Sequence, residues 1–141
     1  MKPGTKSAQL VISNDFFPTF TDLAGRISEA KDIDGISLLP VLRDSSAKLT
    51  RESLCWHYPH HRSLGIPPSG AFRKGRCKLI EWFEKSAYGE EGGAFERYDL
   101  MSDPGESRNL SVSMKDKTAE LKSELEAWRE QIGAQMMTKR K

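Results

Sequence analysis

The chain has 141 residues, 37% hydrophobic and 30% charged, so it is long enough to bury a core and too apolar to be disordered. Its 22 basic and 20 acidic residues give a net charge of +2, which is too balanced to indicate a nucleic acid or an anionic membrane as partner. No apolar run approaches a membrane span, and the polar N-terminus is not typical of a signal peptide, so taken literally this chain would stay where it is made.

The first predicted element is a short helix that carries three phenylalanines. Leu10–Ile12 before it is predicted as a short strand or turn. Ser13 is a candidate N-cap, Pro18 has to lie near the first turn, and Gly25 suits a left-handed C-cap. Spacings of three and four put the apolar residues on one broad face, which needs a large apolar partner: Phe16, Phe17, Phe20 and Leu23.

Four strands are predicted after an irregular connector at residues 26–48. Their β-prone segments are 53–58, 70–72, 77–83 and 95–100. Residues 73–76 contain a glycine that suits a tight hairpin, so the second and third strands are expected to pair antiparallel. Residues 86–93, which contain three glycines, predict a second and looser hairpin loop.

A turn and a helix complete the predicted fold. In the turn, Pro104 presets its own φ, Gly105 can accept a positive φ, and Asp103 can accept hydrogen bonds from the turn's amides. The helix would start with a capping box of Ser113 and Asp116 and end before Gly133. Its apolar stripe is Leu121, Leu125, Trp128 and Ile132. Together the elements predict an α+β fold, in which a C-terminal helix packs on a small antiparallel sheet.

All three histidines lie within residues 57–61, which is the strongest cluster for ligand binding. Imidazoles and a phenol at a strand end, stiffened by Pro59, suit recognition of an anion or a sugar hydroxyl. The residues assigned to substrate binding here are His57, Tyr58, His60 and His61. An ordinary surface loop is the alternative. A metal site is disfavoured, because no Asp, Glu or Cys stands close by in sequence.

A second cluster is basic and lies around the tight hairpin. Arg73 is the candidate for an anionic ligand, since a guanidinium binds oxyanions with two parallel hydrogen bonds. The alternative is a solvated hairpin tip. Cys55 and His57 share a strand face, but no third orienting group or oxyanion hole accompanies them, so no catalytic residue is assigned. Whether Cys55 and Cys77 form a disulfide is left open by the sequence.

Four blocks of the sequence, taken in order, resemble the sulfatase family of the alkaline-phosphatase-like superfamily. The first is a helix with Asp15, Pro18 and Thr19 that ends in Leu-Ala-Gly, and the second is the connector Asp34-Gly35-Ile36-Ser37-Leu38-Leu39-Pro40. The third joins Trp56-His57-Tyr58-Pro59-His60 to the hairpin 69–80, and the fourth is the segment 98–110. Such ordered blocks are far more specific than any one of them.

The resemblance implies that this chain is the C-terminal portion of a sulfatase. Residues 1–45 would be the tail end of the catalytic α/β domain, an orphan helix and its connector, and residues 46–141 the C-terminal subdomain. The family hydrolyses sulfate esters with a formylglycine, made in a Cys/Ser-x-Pro-x-Arg motif, and with Ca²⁺ held by aspartates and an asparagine. Neither cysteine here lies in that motif and the Ca²⁺ ligands have no counterpart, so no cofactor is assigned to this chain.

The expected function is therefore to contribute substrate contacts and packing to a sulfatase, without turnover by this chain alone. The resemblance implies as partners a sulfate ester of a glycan or an aryl compound, and an N-terminal sulfatase half. It does not decide the substrate. Two alternatives are a non-catalytic binding module for sulfated glycans and a truncated gene product. Members of the family are usually exported or lysosomal, while the address of this chain is unknown.

Overall fold

The computed structural model describes residues 3–27, 32–61, 65–89 and 94–137. It divides into two compact units, Met1–Glu52 and Ser53–Lys141. The assignment of residues 1–45 and 46–141 to two sulfatase domains stays a prediction. None of the helices in the described ranges is both long and apolar enough to cross a membrane.

The first unit contains two short helices. A 3₁₀ turn at Ser13–Asp15 leads into α1 at Phe16–Leu23, and α2, which the sequence did not predict, follows at Leu39–Arg43. The prediction of Ser13 as N-cap is wrong, because Ser13 lies inside the 3₁₀ turn and Asp15 takes the N-cap position of α1. Residues 10–12 form no strand. The left-handed Gly25 is confirmed, with φ of 71°.

Asp15 is a buried carboxylate that holds the first unit together. It accepts two hydrogen bonds from Arg51, at 2.7 and 2.5 Å, and one each from the amides of Ile12 (2.9 Å) and Ile36 (3.1 Å). Burial alone raises the pKa of Asp15, but these hydrogen bonds outweigh it and hold that pKa below its usual range. The acid therefore stays charged and ties α1 to the chain on either side of α2.

Two further contacts join α1 to the connector. The Thr19 hydroxyl donates a hydrogen bond to the Asp15 carbonyl at 2.6 Å and accepts one from the amide of Leu38 at 2.8 Å. A Cβ on Gly35 would lie 2.0 Å from the Asn14 carbonyl oxygen, so only glycine permits this approach. Residues of the first two sulfatase-like blocks thus have a structural reason for their identity.

The apolar face of α1 is exposed. Pro18 and Thr19 are the buried residues of this helix. The four apolar side chains of the predicted face are 59 to 66% exposed: Phe16, Phe17, Phe20 and Leu23. These four side chains lie together on one helix, unlike the scattered single apolar residues of an ordinary surface.

The second unit is built on a four-stranded antiparallel sheet in the order β1-β2-β3-β4. The strands are β1 at Ser53–Tyr58, β2 at Ser69–Lys74, β3 at Cys77–Trp82 and β4 at Phe95–Asp99. The predicted hairpin between β2 and β3 is confirmed, with Gly75 at φ of 54°.

The predicted loose loop at residues 86–93 is wrong in its described part. A helix, α3, runs from Phe83 to Tyr88 and ends at Gly89, whose φ is 71°. The apolar Phe83, only 1% exposed, anchors this helix at its start. Residues 90–93 of the predicted loop lie outside the described residues.

The C-terminal helix α4 runs from Lys115 to Ile132 and covers one face of the sheet. The core there consists of Phe72, Leu79, Leu121 and Leu125, all at most 3% exposed. This confirms the α+β fold, with a helix packed on an antiparallel sheet. The capping box is wrong, because the Ser113 hydroxyl donates to the Leu110 carbonyl instead. Ile132 is 53% exposed, and Arg129 is buried in its place.

The turn after β4 is held by its own side chains. Asp103 accepts hydrogen bonds from the amides of Ser107 (3.1 Å) and Arg108 (2.8 Å), as the sequence predicted. The amide of Arg108 contributes most to lowering the pKa of Asp103. The positive φ expected at Gly105 falls instead on Glu106, at 54°. The carboxylate of Glu106 is held there by Lys78 at 2.7 Å.

Candidate functional site

The two faces of the sheet separate the residues that the sequence grouped together. In the β1–β2 ladder His57 pairs with Gly70 and Tyr58 pairs with Ser69. Because successive side chains of a strand point to opposite faces, His57 lies on the face that α4 covers. Tyr58 lies on the other face, which we call the far face. The far face also carries Trp56 and Arg73.

Tyr58 and His60 form an exposed aromatic pair where β1 ends. Their rings meet edge to face with 5.7 Å between centroids. Tyr58 is 40% exposed, and His60 is also exposed. Pro59 between them fixes its own φ and limits the freedom of the chain at this bend. A phenol and an imidazole held together in solvent can both hydrogen-bond and pack against a ligand.

His61 lies next in the chain and has a carboxylate partner. Its Nε2 is 3.1 Å from an oxygen of Glu84, which belongs to α3. Both side chains are largely exposed, so the pair is weak and can exchange Glu84 for another anion. His61 therefore remains available to a ligand.

The basic cluster around the hairpin is mostly neutralised. Lys74 binds Glu124 at 2.6 Å, Lys78 binds Glu106 at 2.7 Å, and Arg76 binds Asp99. The hydrogen bond from Arg76 is the main reason that the pKa of Asp99 falls to about 2. These three bases brace the hairpin against α4, the turn and β4.

Arg73 differs from its three neighbours. Its Nε is buried and has no hydrogen-bond partner among the described residues. It pairs with Leu54, four residues before Tyr58, which puts Arg73 and Tyr58 roughly 13 Å apart along the strands. Arg73 and the Tyr58–His60 pair thus share a face without contact. A ligand that reached both would have to be longer than one sulfate group.

Trp56 is a candidate that the sequence analysis did not select. It lies on the far face between the rows of Leu54 and Tyr58, and it is 39% exposed. An indole there gives an apolar platform between a guanidinium and a phenol. The available signal in the sequence was that Trp56 and Tyr58 are two residues apart in one strand, which puts them on the same face.

A buried ion pair under α4 was also missed. Arg129 Nη1 donates to Glu81 at 2.5 Å, and both side chains are 8% exposed. The Ser86 hydroxyl donates to the other Glu81 oxygen at 2.7 Å, and the Arg129 guanidinium lies 4.8 Å from the Phe83 ring centre. The partners are 48 residues apart, so no local pattern reveals them. Their position under the helix makes them structural.

The described residues do not fit the cofactors of a sulfatase. Within residues 3–27, 32–61, 65–89 and 94–137, no group of three or more His, Cys, Asp or Glu side chains could hold a metal ion. Both cysteines are free thiols. Burial is the main reason that the pKa of Cys55 rises to about 11, which keeps this thiol protonated at neutral pH. Neither cysteine lies in a Cys-x-Pro-x-Arg sequence.

The antiparallel sheet, its covering helix and the motif blocks together define a C-terminal sulfatase region. A family model described as N-sulphoglucosamine sulphohydrolase, C-terminal, matches residues 1–131. The chain belongs to this family. The sulfatase resemblance of its motif blocks is thereby confirmed.

Three relatives illustrate the match. A sulfatase of Formosa agariphila is 28% identical over 131 residues, covering 86% of this chain and 23% of the relative. A Δ4,5-hexuronate-2-O-sulfatase of Bacteroides thetaiotaomicron is 32% identical over 101 residues, covering 72% of this chain and 19% of the relative. The solved structure of BT4656 in complex with its substrate D-glucosamine-2-N,6-O-disulfate superposes with a TM-score of 0.65 at 30% identity, covering 83% of this chain and 23% of that one. The chain spans about a quarter or less of the length of these relatives.

Proposed function

We propose that this chain supplies substrate contacts to a sulfatase that removes sulfate from a sulfated sugar, with the catalytic groups coming from an N-terminal part of the protein. The exposed Tyr58–His60 pair at the end of β1 carries this proposal. It is an ordered pair of aromatic side chains with hydrogen-bonding groups in solvent, within a family of sulfatase C-terminal regions.

A sulfated sugar suits the chemistry of the far face. His60, His61 and Arg73 offer donors to sulfate oxygens, while Tyr58 and Trp56 offer flat apolar surfaces to a sugar ring. A single sulfated sugar can contact the aromatic pair, and because Arg73 lies apart from that pair, only a longer glycan would reach both. The names of two relatives point the same way, since one acts on a hexuronate 2-O-sulfate and the other binds a glucosamine disulfate.

The exposed face of α1 suits a second role, which is docking onto the N-terminal part. Phe16, Phe17 and Phe20 are each about 60% exposed, and Leu23 is 66% exposed. Burying a large apolar side chain contributes roughly 1.5–3 kcal/mol, so four of them would hold two parts of one protein together firmly. The relatives have about four times the length of this chain, which leaves ample protein for that surface to contact.

Ligand binding is tested by titrating the chain with D-glucosamine-2-N,6-O-disulfate while NMR follows the aromatic and arginine side chains. We expect shifts at Tyr58, His60 and the indole of Trp56, and none with unsulfated glucosamine. Tyr58→Ala and His60→Ala should weaken binding about tenfold each. Tyr88→Ala is the matched control, because Tyr88 is 57% exposed on α3 and lies outside the proposed site. Equal loss with Tyr88→Ala, or no shift at millimolar ligand, would contradict the proposal.

The absence of turnover is tested separately with a nitrophenyl sulfate ester. The chain by itself should release no sulfate, because Cys55 and Cys77 lie outside the formylglycine motif. Release that persisted after any contaminating sulfatase had been removed would refute this part of the proposal.

A further inference from the structure

His57 is held in a different way from the other histidines. Its Nε2 lies 2.7 Å from the carbonyl oxygen of Gln135, in the tail that follows α4. A carbonyl oxygen only accepts, so Nε2 carries the proton and donates it. The imidazole also packs on Phe83, with 5.1 Å between ring centres and a tilt of 42°. His57 Nδ1 is buried and has no partner among the described residues.

These contacts fix the end of β1 from the side opposite the proposed ligand. Phe83 is 1% exposed and its amide donates to the Pro68 carbonyl at 3.0 Å, so the surface under the imidazole is rigid. The tail is held at its start, where the amide of Ala134 donates to the Arg129 carbonyl at 2.9 Å. Tyr58 follows His57 directly and points to the far face.

We propose that His57 is a positioning residue, which acts through the Gln135 carbonyl and the Phe83 ring to set the angle at which Tyr58 and His60 face the ligand. The proposal rests on the proposed function for its effect on binding. It assigns the tail after α4 a role in that site, although Gln135 lies outside the matched residues 1–131. Removing a residue that only fixes its neighbours weakens binding, because the ligand must then order those neighbours itself when it binds.

The test combines His57→Ala with a chain that ends after Ala134. That truncation removes Gln135 but keeps the Ala134 amide that closes α4. Each change should weaken binding of D-glucosamine-2-N,6-O-disulfate about three- to tenfold, as expected for loss of pre-ordered side chains. The double variant should be no weaker than His57→Ala alone, because the truncation removes a contact that His57→Ala has already removed. His57→Gln, whose side-chain amide can donate to the same carbonyl, should restore most of the affinity.

A matched control is His61→Ala, since among the described residues His61 pairs with Glu84 of α3 and not with the tail. Its effect and that of the truncation should multiply. If the fold-losses of affinity in His57→Ala and in the truncated chain multiplied in the double variant, His57 would contact the ligand itself. That result would overturn the proposal.

A second measurement separates this proposal from the proposed function. The nuclear Overhauser effect between the Tyr58 and His60 rings can be followed in the chain without ligand. It should weaken in His57→Ala and in the truncated chain, and return in His57→Gln. If the wild-type chain binds no sulfated sugar but this effect behaves as expected, the proposed function fails and the positioning role stands. An unchanged effect in both variants would refute the positioning role.

Discussion

Gly70→Ala should strongly destabilise the second unit. Gly70 lies in β2 between His57 and Glu81 of the neighbouring strands. A Cβ at this position would lie 2.5 Å from Arg129 Nη2 and 3.0 Å from Cζ of Phe83. Both distances are shorter than a normal van der Waals contact, so a neighbour has to move.

The magnitude follows from what those neighbours are. Arg129 cannot move aside freely, because its other nitrogen binds Glu81 at 2.5 Å in a site where both side chains are 8% exposed. Overpacking costs about 1–3 kcal/mol, and separating a buried ion pair costs about 3–5 kcal/mol. We expect a loss of about 2–4 kcal/mol, which lowers the melting temperature of a unit of this size by roughly 10–25 °C.

Tryptophan fluorescence is the appropriate assay. Trp56, Trp82 and Trp128 are the three tryptophans of the chain, and all lie in the unit Ser53–Lys141. Urea titrations that follow them report on this unit alone. Gly105→Ala is the matched control, because a Cβ there meets one atom, at 4.0 Å, and should change stability by less than about 0.5 kcal/mol. Equal urea midpoints for Gly70→Ala, Gly105→Ala and wild type would refute the packing described around Arg129.

Three further predictions concern charge, reactivity and surface. The pKa of Asp99 is lowered to about 2, so the unfolded chain takes up this proton first as the pH falls. The stability that Asp99 contributes is therefore present above about pH 4 and lost towards pH 2. In Asp99→Asn the urea midpoint should depend less on pH over that range than in the wild type. An equally steep pH dependence in the variant would contradict this. With the pKa of its thiol raised to about 11, Cys55 should react with iodoacetamide at pH 8 far more slowly in the folded chain than in urea, as mass spectrometry would measure. Phe20→Ser, at a position 65% exposed, should reduce light scattering by the isolated chain and leave its tryptophan-detected urea midpoint unchanged; unchanged scattering would argue against an adhesive α1 face.

The sheet could be predicted from the sequence because its strands alternate and its main turn contains a glycine. β1 was predicted with the bounds that the structure gives. In the structure β2 is longer than the predicted 70–72, by one residue at its start and two at its end. The six-residue α3 was missed, because its segment is too short for a helical period and precedes a run of glycines. Ser113 was misread as a cap because a capping box depends on backbone geometry that its spacing alone does not fix.

The candidate site was predictable in composition and not in arrangement. The sequence selected the cluster 57–61, but only the strand register separates His57 from Tyr58 and His60. Which base of the hairpin is left for a ligand also depends on distant acids, such as Glu124, which lies 50 residues from Lys74. Sequence proximity does not reveal such pairs. The assignment of these residues to substrate binding stays a prediction.

The polar contacts around Asp15 bear on how the first unit would meet a larger partner. Hydrogen bonds within the first unit already fix α1 to the connector. They are the bonds from Arg51 to the Asp15 carboxylate and those of the Thr19 hydroxyl. Association through the phenylalanines would then resemble docking of two preformed bodies, with little ordering of the backbone at the moment of contact. Because less conformational entropy is lost in such an encounter, more of the free energy gained by burying the phenylalanines would remain as binding affinity.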